Sequence, residues 1–177
     1  DPGPDPAGPG RSTPMHTASS PFEPVTIGPL TLRNRFIKSG ANEAMCLDGK
    51  PTRALLQHHS ELARGGVGMT TVAYMAVAPE GRTLPNQIWM RPDILPDLQA
   101  LTAAVHAGGA AISAQITHGG SFVTGMKVKG RTISSSGGFN PAGMLKGNFL
   151  QRAMNAADME RVTAEFVAAA RLAREAG

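Results

Sequence analysis

The sequence predicts an α/β fold with parallel strands, built from three strand–loop–helix units behind a short hairpin. Three observations predict it. Strand-like apolar runs alternate with stretches of helical periodicity three times along the 177 residues. Each helical stretch runs into glycine, and the first two are followed at once by a new strand-like run. That order calls for parallel strands joined by right-handed crossovers. Three units are too few to close a barrel of eight, and Gly177 sits where a helix-capping glycine belongs, with a fourth strand due next. A larger fold cut short is therefore the expectation.

The elements follow in order. Residues 1–20, DPGPDPAGPGRSTPMHTASS, are proline- and glycine-rich with almost nothing to bury, and are expected to be disordered or a non-native leader, with Met15 as the natural start. Val25 and Ile27, then Leu30 and Leu32, alternate around Gly28–Pro29 and predict a hairpin. RFIKS (35–39) is a candidate strand. A helix is expected from about Thr52 to Arg64, with Leu55, Leu56, Leu62 and Ala63 on one face, stopped by Gly65–Gly66. MTTVAY (69–74) is the second strand. A helix from about Pro96 to Ala107 carries Leu98, Leu101 and Val105 and stops at Gly108–Gly109. AAISAQI (110–116) is the third strand. The last helix runs from about Ala157 to Ala176 with Met159, Val162, Phe166, Ala169 and Ala173 at helical spacing.

Composition removes several classes. One cysteine, Cys46, permits no intrachain disulfide and fits a reducing compartment. No apolar run approaches about 18 residues, and no secretory signal pattern is present, so a membrane role is not expected and the cytoplasm is the default location. The net charge is +4, unevenly spread. No Asp or Glu occurs between Leu98 and Ala157, while Lys127, Lys129, Arg131, Lys146 and Arg152 do. Such a stretch is either a solvated loop or an attractor of an anion such as a phosphate. The basic residues are not interleaved with aromatics, so nucleic acid is not expected as a partner.

In parallel α/β folds function gathers at the C-terminal ends of the strands. Those ends read SGANE (39–43), AYMAV (73–77) and QITHGG (115–120). Gln115 offers a donor and an acceptor, which suits the imide-like edge of a heterocycle or a local backbone bond. His118 is a proton carrier, a ligand to a carbonyl or phosphate, or a structural histidine. Asn42 is a ligand contact or a turn residue. Tyr74 lines a pocket or packs in the core. Cys46 has no histidine partner in view and reads as an inert thiol. GANEAMCLDGKPT has the wrong glycine spacing for a phosphate loop, and His58–His59 lack the HExxH arrangement. No metal site is expected.

These strand ends resemble the old yellow enzyme family of FMN-dependent oxidoreductases, which are (β/α)8 TIM barrels. Four pieces carry the resemblance: FEPVTIGPLTLRNRFIKSGANE (22–43), GVGMTTVAYMAVAPEGRT (66–83), LQALTAAVHAGGAAISAQITHGG (98–120) and FVAAARLAREAG (166–177). It implies a partial barrel: residues 21–177 as the first three βα units behind an N-terminal hairpin, truncated before the fourth strand. Ser39, Gly40, Ala41 and Asn42 match the segment whose backbone lies along the flavin, where relatives usually carry larger residues and end in Thr or Cys. Tyr74 matches a usually small residue beside the ring. Gln115 matches the glutamine that bonds the ring's pyrimidine edge. His118 matches the histidine of an H-x-G-R motif, implying substrate binding, although Ser121 stands where the motif has Arg.

The implied cofactors are FMN, with NAD(P)H as reductant. The implied reaction passes hydride through the flavin to an electron-poor alkene such as an α,β-unsaturated carbonyl. The family's substrate-gripping His/Asn or His/His pair follows the fourth strand, and its tyrosine acid and phosphate loops lie in the second half, so no catalytic residue carries over. The expected partners are a small-molecule substrate and further copies of the chain. Two other readings stand beside this one: a non-catalytic fragment acting as a binding or assembly unit, and a small α/β anion-binding domain without flavin.

Overall fold

The structure is a computed structural model that describes residues 20–123, 132–141 and 150–177. The expected leader, apart from Ser20, lies outside the described residues, as do Lys127, Lys129, Arg131 and Lys146 of the basic loop.

The hairpin forms where alternation placed it. Strands β1 (Val25–Ile27) and β2 (Leu30–Leu32) pair antiparallel, with Ile27 opposite Leu30. The two-residue turn needs a positive φ at its first position, and Gly28 supplies it at +57°. Strand β3 (Ile37–Lys38) is shorter than the expected five residues. A second hairpin follows, from β4 (Cys46–Leu47) and β5 (Lys50–Pro51). Its turn residues, Asp48 and Gly49, both have positive φ, at 50° and 76°, as a tight Asp-Gly turn requires.

Helix α1 (Arg53–Arg64) is capped by the Thr52 hydroxyl, which accepts the Leu55 N–H. Its buried residues are Leu55, His59, Ser60 and Ala63, while Leu56 and Leu62 are only half-buried. The expected stripe is thus rotated, with a histidine inside it. Strand β6 (Met69–Ala76) and the two-residue β7 (Ile88–Trp89) lead to α2 (Leu95–Ala107), whose Leu98, Leu101, Thr102 and Val105 are buried. Strand β8 (Ala111–Thr117) comes next. The long connection beyond it holds a small sheet in the order β10 (Gly138–Phe139), β11 (Leu150–Ala153), β9 (Thr132–Ser134). Helix α3 (Ala156–Glu175) begins in a capping box between Asn155 and Asp158. Ala169 is its one buried residue, and Met159, expected in the core, is 53% exposed.

The main sheet is parallel and centred on β6. Strand β3 pairs with its first two residues and β7 with its last two, on the same side, while β8 runs along the other. Val72 lies opposite Ala114 and Met75 opposite Ile116, so β6 carries one extra residue at Ala73–Tyr74. Leu55, Val72, Ile88, Ile94, Leu98, Leu101 and Val105 form the core between sheet and helices. On the sheet's other face Thr71 Oγ1 meets Ser113 Oγ at 2.8 Å.

Arg33 ties together the end of the sheet opposite the strand C-termini. Its guanidinium donates to Val67 O, to Gly108 O at 3.0 Å and to Ala63 O, so one cation serves the C-terminal carbonyls of α1 and α2 together. Asn34 Nδ2 adds a 2.7 Å bond to Gly66 O. Arg33→Ala is expected to lower unfolding stability by about 1–2 kcal/mol, and Arg33→Lys to recover only part of it, because an ammonium lacks the planar fork. Urea unfolding of the three proteins is the check; equal midpoints would show that the clasp is idle.

Candidate functional site

Because β3, β6 and β8 are parallel neighbours, their C-terminal ends open on one rim. The residues expected to form a site all lie there: Ser39, Gly40, Ala41 and Asn42 beyond β3, Tyr74 on the extra residue of β6, Gln115 near the end of β8, and His118 just past it.

Gly40 and Gln115 are in direct contact. A side-chain carbon at position 40 would collide with Gln115 Oε1 and lie 2.8 Å from its Cδ. The glutamine amide therefore occupies the space a larger residue would take, which is where this chain's unusually small SGA segment matters. Ser39, Ala41, Asn42 and Gln115 are exposed, and Tyr74 is half-buried. Asn42 Oδ1 accepts the Ala44 N–H at 3.1 Å, so the turn reading of Asn42 holds. That bond leaves its NH2 group free to serve a ligand.

His118 is placed differently from the others. Its Nδ1 accepts the Gly120 N–H at 3.1 Å, and its ring lies against Gly81, where an added side-chain carbon would come within 2.8 Å of Cδ2. Its Nε2 is buried without a partner among the described residues. Burial holds its pKa below the usual histidine value, against the pull of Glu80 and Glu165. Cys46 is likewise pushed away from reactivity: burial, then the Glu43 carboxylate, raises its thiol to about 11. Arg152, the one described cation of the basic loop, is paired with Asp158 and so is already committed.

Sequence reasoning missed the layer behind the rim. Glu43, whose side chain is only 5% exposed, forms an ion pair with Lys38 and accepts the Ala73 N–H through Oε2 at 3.2 Å. Lys38 Nζ also donates to Thr71 O at 3.0 Å. His59 is fully buried, its Nδ1 2.7 Å from Thr70 Oγ1 and its Nε2 3.7 Å from Glu43 Oε1, beyond hydrogen-bond range. The signal for His59 was present: 55, 59 and 63 fall on one helical line, so a residue between Leu55 and Ala63 faces inward. Glu43, His58 and His59 can bring ligand atoms within 4.8 Å of one another.

The donor set fits a planar heterocycle bearing carbonyl and N–H groups. Gln115 presents both polarities, Asn42 presents N–H donors, and the small residues 39–41 leave the rim flat beside them.

The profile of the NADH:flavin oxidoreductase / NADH oxidase family matches residues 20–177. The chain is similar to a 4,4'-dithiodibutanoate disulfide reductase of Rhodococcus erythropolis, with 41% identity over 167 residues. That match covers 92% of this chain and 40% of the relative, so the chain spans about two-fifths of that protein's length. Among solved structures, morphinone reductase in complex with tetrahydroNAD superposes with a TM-score of 0.78 at 20% identity, covering 90% of this chain and 47% of that one. Old Yellow Enzyme from Pichia sp. AKU4542 superposes at 0.79 and 21% identity, covering 89% and 43%. These neighbours share the fold, and the three βα units correspond to part of their (β/α)8 barrel.

The buried histidine makes stability depend on pH. Burial chiefly, and Lys38 in addition, lowers the His59 pKa from 6.5 to about 4, although Glu43 opposes the shift. The unfolded chain therefore binds a proton that the folded chain refuses as pH falls from about 6.5 to about 4. About 3 kcal/mol of stability present at pH 7 is expected to disappear across that window, with His118 adding in the same direction. Urea unfolding at pH 7.5, 5.5 and 4.5 (values chosen to span about this window) is the measurement. His59→Gln should flatten the dependence, and an unchanged slope would refute the assignment.

Proposed function

The chain belongs to the NADH:flavin oxidoreductase / NADH oxidase family, and from that membership we propose that its strand-end rim holds FMN in a reductase supplied with electrons by NAD(P)H. The observation that carries the reading is the contact of Gly40 with Gln115, which sets a two-polarity amide on the open rim beside a run of small residues.

When bound, FMN supplies the chemistry of accepting a hydride from NAD(P)H and delivering it to a second substrate. The chain's own residues bind and orient. Gln115 pairs with the polar edge of the ring, donating through Nε2 and accepting through Oε1. The backbone of Ser39, Gly40 and Ala41 supports the ring, and Asn42 offers its Nδ2 hydrogens to a ring carbonyl. Tyr74 packs beside the ring from the extra residue of β6. His118, with Nδ1 spent on Gly120 and its ring on Gly81, holds the 79–83 loop against the strand end at the margin where a substrate enters.

The substrate proposed first is an electron-poor alkene α,β to a carbonyl. A second reading, a disulfide, is favoured by the 41% identical relative, which is named as a disulfide reductase. The single free cysteine fits a reducing compartment such as the cytoplasm, where we place the reaction. No described helix is long and apolar enough to cross a membrane.

Anaerobic titration of the purified chain with FMN tests this. Bound yellow chromophore, bleached by NADPH or NADH and recoloured by a cyclic enone or by an aliphatic disulfide, is the expected result, and the reoxidant separates the two substrates. A chain that takes up no FMN overturns the cofactor reading.

Gly40→Ala and Gln115→Ala should each weaken FMN binding at least about tenfold, since losing even one of the two hydrogen bonds of Gln115 costs about 1.4 kcal/mol. Gly40→Ala does so only by displacing Gln115, so the double variant should bind like either single one. Additive losses in a fluorescence titration would show that the two act separately.

A further inference from the structure

Strand β6 has a gap on one side. Strand β3 pairs with it only as far as Thr70, and β7 does not take over until Met75. Between them Thr71 O and the Ala73 N–H face a side where, among the described residues, no strand is paired. Two side chains fill the place: the Lys38 ammonium donates to Thr71 O, and the Glu43 carboxylate accepts from Ala73 N–H. Each is charged, the two are paired with each other, and both are mostly buried. Unpaired buried backbone groups are costly, and here a salt bridge satisfies a donor and an acceptor two residues apart, as a neighbouring strand would. Lys38 is the last residue of β3 and Glu43 the residue after Asn42, so the pair also pins both ends of the 39–42 segment.

We propose that Lys38 and Glu43, backed by His59, are positioning residues that splint the gap in β6 and thereby hold segment 39–42 and the Ala73–Tyr74 backbone in the register the cofactor needs. This rests on the FMN reading for its consequence, but the splint itself is a property of the chain alone. A divalent metal at Glu43, His58 and His59 is the competing use of these groups. Lys38 already holds Glu43 Oε1, so a divalent ion would add two charges to a buried pair that is now neutral.

Amide hydrogen exchange on the chain without cofactor is the direct test. In Glu43→Gln and Lys38→Met the hydrogen-bonded amides of Ala44 and Ala73 should exchange at least about tenfold faster, while those of α2 and of the β1–β2 hairpin stay unchanged. Lys38→Arg should restore most of the protection. Should Glu43→Gln fail to fold, Glu43→Asp, which keeps the charge and shortens its reach, carries the same expectation. In proteins that take up FMN, the same variants should bind it at least about tenfold more weakly and shift the bound flavin's visible band. Unchanged local exchange overturns the proposal. So does a uniform rise that includes α2, which would mean only lost global stability. Zn2+ that raises the melting temperature in the parent chain but not in His58→Ala overturns it in favour of a metal site. If the parent chain takes up no FMN, the cofactor reading falls and the exchange result still decides the splint.

Discussion

The interaction on which the rim depends is the buried pair of Lys38 and Glu43. A buried parallel strand needs hydrogen-bonding partners on both sides, and among the described residues β6 has no strand on one side between Thr70 and Met75. A longer β3 would close the gap, but its residues would then be strand and not the open 39–42 segment. The chain leaves the sheet early, frees four small or polar residues for the rim, and returns a carboxylate to close the edge it abandoned. The extra residue of β6 falls in the same stretch, so local irregularity is concentrated at the proposed site and the rest of the sheet stays regular.

The opposite end of the sheet is organised for stability. There Arg33 and Asn34 gather the carbonyls at the ends of α1 and α2, and glycines 65, 66, 108 and 109 let the helices stop and turn close to the strands. This matches the division of parallel α/β folds into a packed N-terminal face and a functional C-terminal face. The two faces meet in α1. Its C-terminus is held by Arg33, while His59, one turn earlier, reaches the layer behind the rim.

What the sequence made legible follows from range. The helices ended within a residue of expectation because their stop signals are local glycines, paired after α1 and α2 and single after α3. The β1–β2 hairpin was read from four alternating residues. The β4–β5 hairpin is marked by Asp48–Gly49, a turn pair whose two-residue strands carry no alternation to accompany it. Strand β7 was not legible: a two-residue strand exists only because β6 offers it an edge. Nor was the contact of Gly40 with Gln115, which spans 75 positions and depends on the register of β8 against β6. The proposed site residues stand out by type at strand ends, whereas Lys38 and Glu43, the groups that hold them, look in sequence like ordinary surface charges.

The protonation state of His59 completes the logic of that layer. A lysine and a glutamate in contact make a dipole without net charge, which can satisfy backbone groups without imposing a monopole on the rim. A protonated histidine behind them would leave an uncompensated cation in a fully buried place. Burial prevents it by drawing the His59 pKa down to about 4, even though the Glu43 carboxylate lies close enough to favour the charged form. At neutral pH the ring therefore serves as a polar packing group, bonded to Thr70 on one side and facing the carboxylate on the other. A tyrosine or leucine would fill similar space but would lack the nitrogen that meets Thr70, and a lysine would bring the charge that the site excludes.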